Sequence, residues 1–164
     1  MTRIKSHSGM SMMEMMIVVV IIGLLAAIAV PNFGGAIKKM KFDNVGREML
    51  SSLRYARAAA IGTQRPHGVF FDADSRKVLV FVDLVSPELG TYEMGDSVVK
   101  TDTIQVPLSS MNSTFANSTV IFNPDGTASQ SGDILCYGAS GYSSSSFSVS
   151  LVAGSGRARL ERYD

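Results

Sequence analysis

Residues 15–30 read MMIVVVIIGLLAAIAV and contain no charged side chain. Together with residues 10–13 they make an apolar segment of roughly 20 residues, which as a helix is long enough to span the hydrocarbon core of a bilayer. One carboxylate, Glu14, lies near the start of this segment. Because a charge costs on the order of 2.5–3.5 kcal/mol at mid-membrane, Glu14 is a candidate functional residue that needs a partner.

Three interpretations of this segment compete. A basic start, the apolar run and a small-x-small motif at residues 27–29 are typical of a secretory signal peptide. A simple membrane anchor is the second interpretation, and it leaves Glu14 unexplained. In the third, which accounts for the most residues, the chain is cut after Gly9. Met10 then carries a new ammonium group that can neutralise Glu14 of the same or a neighbouring chain in lipid.

Four residues in this stretch stand at a distinctive spacing. Gly9 ends the leader, Glu14 is the fifth residue after the expected cut, Gly23 lies within the apolar helix and Pro31 lies at its end. This pattern resembles the class III signal of type IV pilins and of the pseudopilins of type II secretion. Met10 stands where phenylalanine is commonest in that family. The resemblance implies that a prepilin peptidase cuts after Gly9 and methylates the Met10 amine.

The same resemblance implies a location and a set of partners. The helix of residues 10–31 would hold the subunit in the inner membrane, with the amino terminus cytoplasmic and the β domain periplasmic. The subunit would then enter a pilus or pseudopilus, at its tip. The implied partners are membrane lipid, the peptidase, the inner-membrane assembly platform, and other major and minor pilins or pseudopilins. In the filament, Glu14 would meet the Met10 amine of a neighbour, and the stretch from Gly23 to Pro31 would extend or melt.

Beyond the apolar run, apolar residues recur at helical spacing. They are Phe33, Ile37, Met40, Val45, Met49, Leu53, Ala56 and Ala60. We therefore expect one helix over residues 10–61, with Gly62 as its C-cap and residues 32–62 as an amphipathic half packed on the globular domain. The basic residues of this half, Arg54 and Arg57 among them, are predicted to form a solvated face. At 1.5 Å per residue the helix is roughly 75–80 Å long, so its first half must be buried by membrane or partners.

The rest of the chain, residues 63–164, is predicted to be a β-rich globular domain. β-Branched and aromatic residues predict strands at residues 68–72, 77–82, 98–106, 118–122, 133–137, 147–152 and 157–160. Residues 72–75 and 123–126 are typical of tight turns, and residues 84–97 and 138–146 are expected to be loops. The sequence therefore predicts the α+β class, in which a long amino-terminal helix precedes antiparallel sheets.

Three short motifs in this domain carry a second resemblance. They are Ala-Arg-Ala-Ala-Ala-Ile at residues 56–61, Phe-Asn-Pro-Asp-Gly at residues 122–126 and Gly-Arg-Ala-Arg at residues 156–159. Together they resemble the GspH/FimT family of minor pilins and minor pseudopilins. The resemblance implies a structural subunit that primes or caps assembly of a type IV pilus or a type II secretion pseudopilus, and it does not separate the two systems.

An alternative function is DNA binding. The Gly-Arg-Ala-Arg motif resembles the carboxy-terminal basic motif of FimT-type pilins that capture DNA for transformation. Arg157 and Arg159 alternate along one strand, with Arg162 nearby, so they are candidate phosphate contacts. Two or three arginines predict a weak, salt-sensitive and sequence-independent contact. Glu161, Asp164 and a net charge of only +1 count against this function.

An enzyme is the third class of function, and the sequence disfavours it. The two histidines are His7, in the expected leader, and His67, beside Pro66 in an expected turn, and no nucleophile motif surrounds either. We therefore predict no catalytic residue, no metal site and no cofactor. The single cysteine, Cys136, has no partner for an internal disulfide and is predicted to be a small buried strand residue.

Overall fold

The computed structural model of this chain describes residues 10–85, 90–139 and 146–163, without the side chains of residues 30–32. Two compact units make up the chain, the first ending at Ile37 and the second beginning at Lys38. Over these residues one long helix is followed by eight strands, with a short 3-10 helix at Ala116–Ser118, which confirms the predicted α+β class. These elements are α1 (Met12–Thr63), β1 (His67–Asp72), β2 (Lys77–Val82), β3 (Ser97–Thr103), β4 (Leu108–Ser113), β5 (Thr119–Phe122), β6 (Gly132–Gly138), β7 (Ser146–Val152) and β8 (Arg157–Tyr163).

The first part of α1 is an exposed apolar helix. Residues Met12–Ala29 form a segment long and apolar enough to cross a membrane, and none of it is buried within the chain. The backbone stays helical through Gly23 and Pro31. Since proline removes one i→i−4 hydrogen bond, Pro31 remains the weakest point of this helix by sequence. An apolar surface of this size has to be covered by lipid or by another polypeptide.

The end of α1 differs from the prediction, because Gly62 is not its cap. The helix ends at Thr63, and Gln64 takes the left-handed conformation with φ of 55°. Two side chains bond to carbonyls of the last turn. The Gln64 Nε2 donates to the Ile61 carbonyl at 2.8 Å, and the Thr63 hydroxyl donates to the Ala59 carbonyl at 2.7 Å. These bonds satisfy carbonyls that the helix end leaves without partners, and they support a residue other than glycine in this conformation.

The strands form two antiparallel sheets of four strands each. The first sheet has the order β3-β2-β1-β5, and the second has the order β4-β6-β7-β8. The predicted turn between β1 and β2 is confirmed, because Asp72 pairs with Lys77 and its Oδ1 accepts the Ser75 N–H at 2.9 Å. This hydrogen bond is the main reason that the pKa of Asp72 lies below its usual value. In this sheet order β4 and β8 lie at opposite edges of the second sheet.

Strand β4 was not predicted, and β3 is shorter than predicted. Residues 108–113 read LSSMNS, a polar stretch with weak β propensity, and they form a strand by pairing along β6. The predicted strand at residues 98–106 ends at Thr103. Ile104 and Val106 are buried where the chain passes from the first sheet to the second. Their apolar side chains therefore serve the core and not a longer strand.

The core lies between α1 and both sheets. The buried face of α1 consists of Phe42, Val45, Met49, Leu53, Ala56 and Ala60. Phe33, Ile37 and Met40, which the sequence assigned to the same stripe, are exposed, so packing on the domain begins only at Phe42. This burial pattern places the whole core in the second of the two units.

The single cysteine, Cys136, and His67, the histidine outside the expected leader, are both buried in this unit. Cys136 lies on β6 with its Sγ 3.9 Å from the sulfur of Met49, which confirms the predicted buried position. Burial raises the pKa of its thiol to about 12, so it is not a nucleophile near neutral pH. His67 is buried at the start of β1, not in a turn, and its Nδ1 lies 2.9 Å from the Arg65 carbonyl oxygen.

Candidate functional site

The amino-terminal candidate residues lie at the start of α1. Glu14 is exposed in the first turn, where the helix dipole favours an acidic group. Within the described residues it forms no ion pair. Met10 is exposed and Gly9, the residue before the expected cut, lies outside the described residues. In the uncut chain the Met10 nitrogen belongs to a peptide bond, so the ammonium partner proposed for Glu14 does not exist before cleavage.

Gly23 has free space on its side of the helix. A Cβ built there would meet no atom within 4 Å, apart from the helix backbone. A neighbouring helix can therefore approach this position closely without a side chain in the way.

The three sequence motifs of the globular domain meet at one junction. The Arg57 side chain, on α1, donates its Nε–H to the Gly126 carbonyl at 2.9 Å. Gly156, at the turn before β8, is buried with φ of +58°, and a Cβ there would overlap that same carbonyl oxygen. Gly126 has φ of +84°, and a Cβ on it would lie 3.0 Å from Ile61. The three motifs thus contact one another through Arg57, Gly126 and Gly156.

The turn that carries Gly126 is held by its own hydrogen bonds. The Asn123 N–H donates to the Thr127 carbonyl, and the Gly126 N–H donates to the Asn123 carbonyl, both at 2.9 Å. Asp125 Oδ1 accepts the Thr127 hydroxyl at 2.7 Å and the Thr127 N–H at 2.9 Å. These two bonds, the hydroxyl first, hold the pKa of the Asp125 carboxyl below its ordinary value of 3.8.

The lowered pKa of Asp125 predicts a pH-dependent contribution to stability. A carboxyl whose pKa is lower in the folded state stabilises the protein above its unfolded pKa and loses that effect as the pH falls through the folded pKa. We expect Asp125→Asn to reduce the loss of unfolding free energy between pH 6 and about pH 3. Urea unfolding of the full chain in detergent at both pH values measures this loss. Asp74→Asn, in the β1–β2 turn, is the control, and an equal pH dependence in both variants would contradict the assignment.

The structure does not bring the three predicted DNA-contacting arginines together as one group. The Arg162 Nη1 lies 3.3 Å from Asp43 Oδ2, on α1, and the Arg159 Nη1 lies 3.4 Å from Glu161 Oε1. Arg157 forms no ion pair within the described residues. Along β8, Arg162 has the opposite parity to Arg157 and Arg159, so it belongs to the other strand face.

Arg157 lies instead beside two arginines that the sequence assigned only to a solvated face. A cleft of about 300 Å³ between α1 and β8 is lined by Arg54, Arg57, Ala58, Ile61, Gly156, Arg157 and Ala158. We call it the arginine cleft. Arg54 and Arg57 are three residues apart and so share one helix face, which is the only sign of this site in the sequence. Their approach to Arg157 comes from the packing of β8 on α1.

Comparison with known families identifies both parts of the chain. The family model of the type II transport protein GspH matches residues 45–158, and that of the prokaryotic N-terminal methylation motif matches residues 4–30. A type II secretion system protein H of Xanthomonas campestris pv. campestris is 32% identical over 69 residues. That match covers 42% of this chain and 41% of the relative, so it spans less than half of the relative's length.

Two solved structures share the fold. The minor pseudopilin EpsH from the type 2 secretion system of Vibrio cholerae superposes with a TM-score of 0.55, at 14% identity, over 73% of this chain and 94% of that one. The type IV minor pilin FimU of Pseudomonas aeruginosa superposes with a TM-score of 0.56, at 16% identity, over 73% of this chain and 87% of that one. At these identities the likeness concerns the fold.

Proposed function

We propose, from the premise that this chain belongs to the GspH family of minor pseudopilins and minor pilins, that it primes or caps the assembly of a type II secretion pseudopilus or a type IV pilus. The observation that carries this proposal is that the chain combines an exposed apolar start of α1 with a domain that has a core of its own. The helix is the assembly element, and the domain is the surface that other subunits recognise. Its role is structural and not catalytic.

Before assembly the subunit is anchored in the inner membrane by residues 12–29, with the β domain in the periplasm. The methylation motif over residues 4–30 supports cleavage after Gly9 and methylation of the new Met10 amine by a prepilin peptidase. The assembly platform then transfers the helix from lipid into a bundle of sister helices. Gly23 is the position at which a neighbouring helix packs closely. Pro31 is the position at which the helix extends or melts.

The charge of Glu14 favours transfer of the helix from the membrane into the filament. An unpaired carboxylate in lipid is unfavourable, and the removal of its partner from a buried ion pair costs about 3–5 kcal/mol. The pair that we propose joins Glu14 of the entering subunit to the Met10 ammonium of its neighbour. Both groups are then neutralised only in the filament, so assembly is favoured over the free membrane-bound state.

The decisive experiment is mass spectrometry of the mature chain from its native host. We expect the wild-type chain to begin at N-methylated Met10, and Gly9→Val to retain residues 1–9, because it removes the glycine that ends the leader in the motif. Gly23→Val is the matched control and should be cleaved normally. A wild-type chain that begins after Ala29 would identify a secreted protein, and an intact one would identify a plain membrane anchor. Either result would refute the proposal.

DNA binding is the second candidate function. Arg157 and Arg159 are exposed on β8, and this exposure favours a contact with phosphate. The ion pairs of Arg159 and Arg162 with acidic neighbours weaken it. Surface pairs of this kind contribute about 0–1 kcal/mol, so DNA phosphates can compete for both arginines. DNA binding still ranks below filament assembly, because Glu161 and Asp43 offset part of the positive charge that it needs.

A further inference from the structure

We propose that the arginine cleft binds a carboxylate of a neighbouring subunit in the filament. The inference rests on the proposed function, because it takes the partner to be another pilin or pseudopilin. It adds a second assembly contact, on the globular domain and between different residues from those at the start of α1.

The shape of the cleft is fixed by the junction below it. The Arg57 Nε–H is bonded to the Gly126 carbonyl, and that bond holds the guanidinium at the edge of the cleft. An arginine has five N–H donors in a planar fork, so the two terminal nitrogens of Arg57 remain available to a ligand. Gly156 keeps the floor open, since a Cβ there would lie 2.9 Å from Arg57 Nε. Gly156 and the Arg57–Gly126 hydrogen bond thus hold the terminal N–H groups of Arg57 in position before a ligand binds.

The charge of the cleft is not balanced by any acidic lining residue. Its described lining contains Arg54, Arg57 and Arg157 and no carboxylate. None of the three arginines forms an ion pair within the described residues. Asp125, which precedes Gly126, is not part of this lining, and its Oδ1 accepts two hydrogen bonds from Thr127. Three cations around one small cleft therefore call for an anion from outside the chain.

The lining favours a carboxylate on a polypeptide over a nucleic acid backbone. Ala58, Ile61 and Ala158 give the cleft apolar walls, which suit the methylene groups of an aspartate or glutamate side chain. A volume of about 300 Å³ holds one or two side chains. A nucleic acid would need the positive charge to continue along β8, where Arg159 instead pairs with Glu161. Arginines are also enriched among the residues that contribute most to binding at protein interfaces.

The test measures binding of defined probes to the full chain in zwitterionic detergent micelles. The probes are a dye-labelled peptide of alternating Glu and Ala, the same peptide with Gln for Glu, and a dye-labelled DNA duplex. Fluorescence anisotropy at low ionic strength reports binding. The cleft variant is Arg54→Glu/Arg157→Glu, which leaves Arg57 and its bond to Gly126 in place. The matched control is Arg159→Glu, a charge reversal on the same strand outside the cleft, and thermal unfolding checks that all variants fold.

We expect the Glu–Ala peptide to bind the wild-type chain and the Gln–Ala peptide not to bind. The cleft variant should bind the Glu–Ala peptide with an affinity at least about tenfold lower than the wild-type chain. Arg159→Glu should change this affinity less than about twofold. No binding of the Glu–Ala peptide, or an equal loss in both variants, would overturn the proposal. Tighter binding of the DNA, lost in the cleft variant, would also overturn it and assign the cleft to phosphate.

This result is separable from that of the proposed function. The cleft variant retains Gly9, Met10 and Glu14, so we expect normal processing and membrane insertion whatever its binding. A failure of peptide binding together with methylated Met10 refutes only the cleft. A chain that is never cut after Gly9 refutes the proposed function.

Discussion

Gly156→Ala is expected to lower the free energy of unfolding by roughly 3 kcal/mol. The residue has φ of +58°, a conformation that costs an L-amino acid about 1–2 kcal/mol. The added Cβ would also overlap the Gly126 carbonyl oxygen, which is backbone and cannot rotate away. The turn at Gly126 or the start of β8 must then move, and the bond from Arg57 to that carbonyl is strained or lost.

Gly154→Ala is the matched control for this prediction. Gly154 belongs to the same turn, but a Cβ built there would meet nothing within 4 Å. We expect this variant to unfold within about 0.5 kcal/mol of the wild-type chain. Urea unfolding of the full chain in detergent, followed by far-ultraviolet circular dichroism, measures both. Equal urea midpoints for the two alanine variants would show that the three-motif junction does not depend on a glycine at position 156.

Glu14→Val is expected to abolish most filament incorporation while leaving the subunit in the membrane. The variant lengthens the apolar run and keeps the cleavage site, so insertion and processing should remain normal. In the filament, however, the Met10 ammonium of the neighbour would lose its partner. Since that loss costs about 3–5 kcal/mol and 1.4 kcal/mol is tenfold, incorporation should fall by at least about tenfold.

The measurement is the ratio of subunit in sheared filaments to subunit in membranes, by immunoblot in the native host. Glu14→Gln keeps the size and removes the charge, so it should fail like Glu14→Val. Glu14→Asp keeps the charge and should retain part of the incorporation. The ion-pair model predicts this order of the three variants. Wild-type ratios in Glu14→Val, with Met10 confirmed as the first residue, would refute that model.

The parts of the fold that depend on local sequence were predictable. The apolar run, the helical spacing after it and the turn between β1 and β2 each depend on neighbouring residues, and all appear in the structure. Strand β4 was not predictable, because its residues form a strand only through their pairing with β6. The end of β3 was not predictable either, because the apolar side chain of Ile104 packs in the core without extending the strand.

The candidate site residues also divide into those predictable from local sequence and those brought together only by folding. Gly9, Met10 and Glu14 follow each other closely, so their spacing alone carries the prediction. The arginine cleft joins Arg57 to Arg157, residues that lie 100 positions apart and approach only when β8 packs on α1. Sequence reasoning grouped Arg157 with Arg159 and Arg162 by proximity in the chain. Glu161 already counted against the basic motif in the sequence, but no sequence pattern places Asp43, 119 positions away, beside Arg162.

The buried position of Cys136 makes this chain well suited to mapping its neighbours by disulfide crosslinking. Burial raises the pKa of its thiol to about 12, so the thiol stays protonated and unreactive at neutral pH. The chain contains no other cysteine. A cysteine introduced at any exposed position would therefore be the single reactive thiol, with no need to remove the native one and open a cavity beside Met49. Pairs of such variants in adjoining subunits would report directly which surfaces face each other in the assembled fibre.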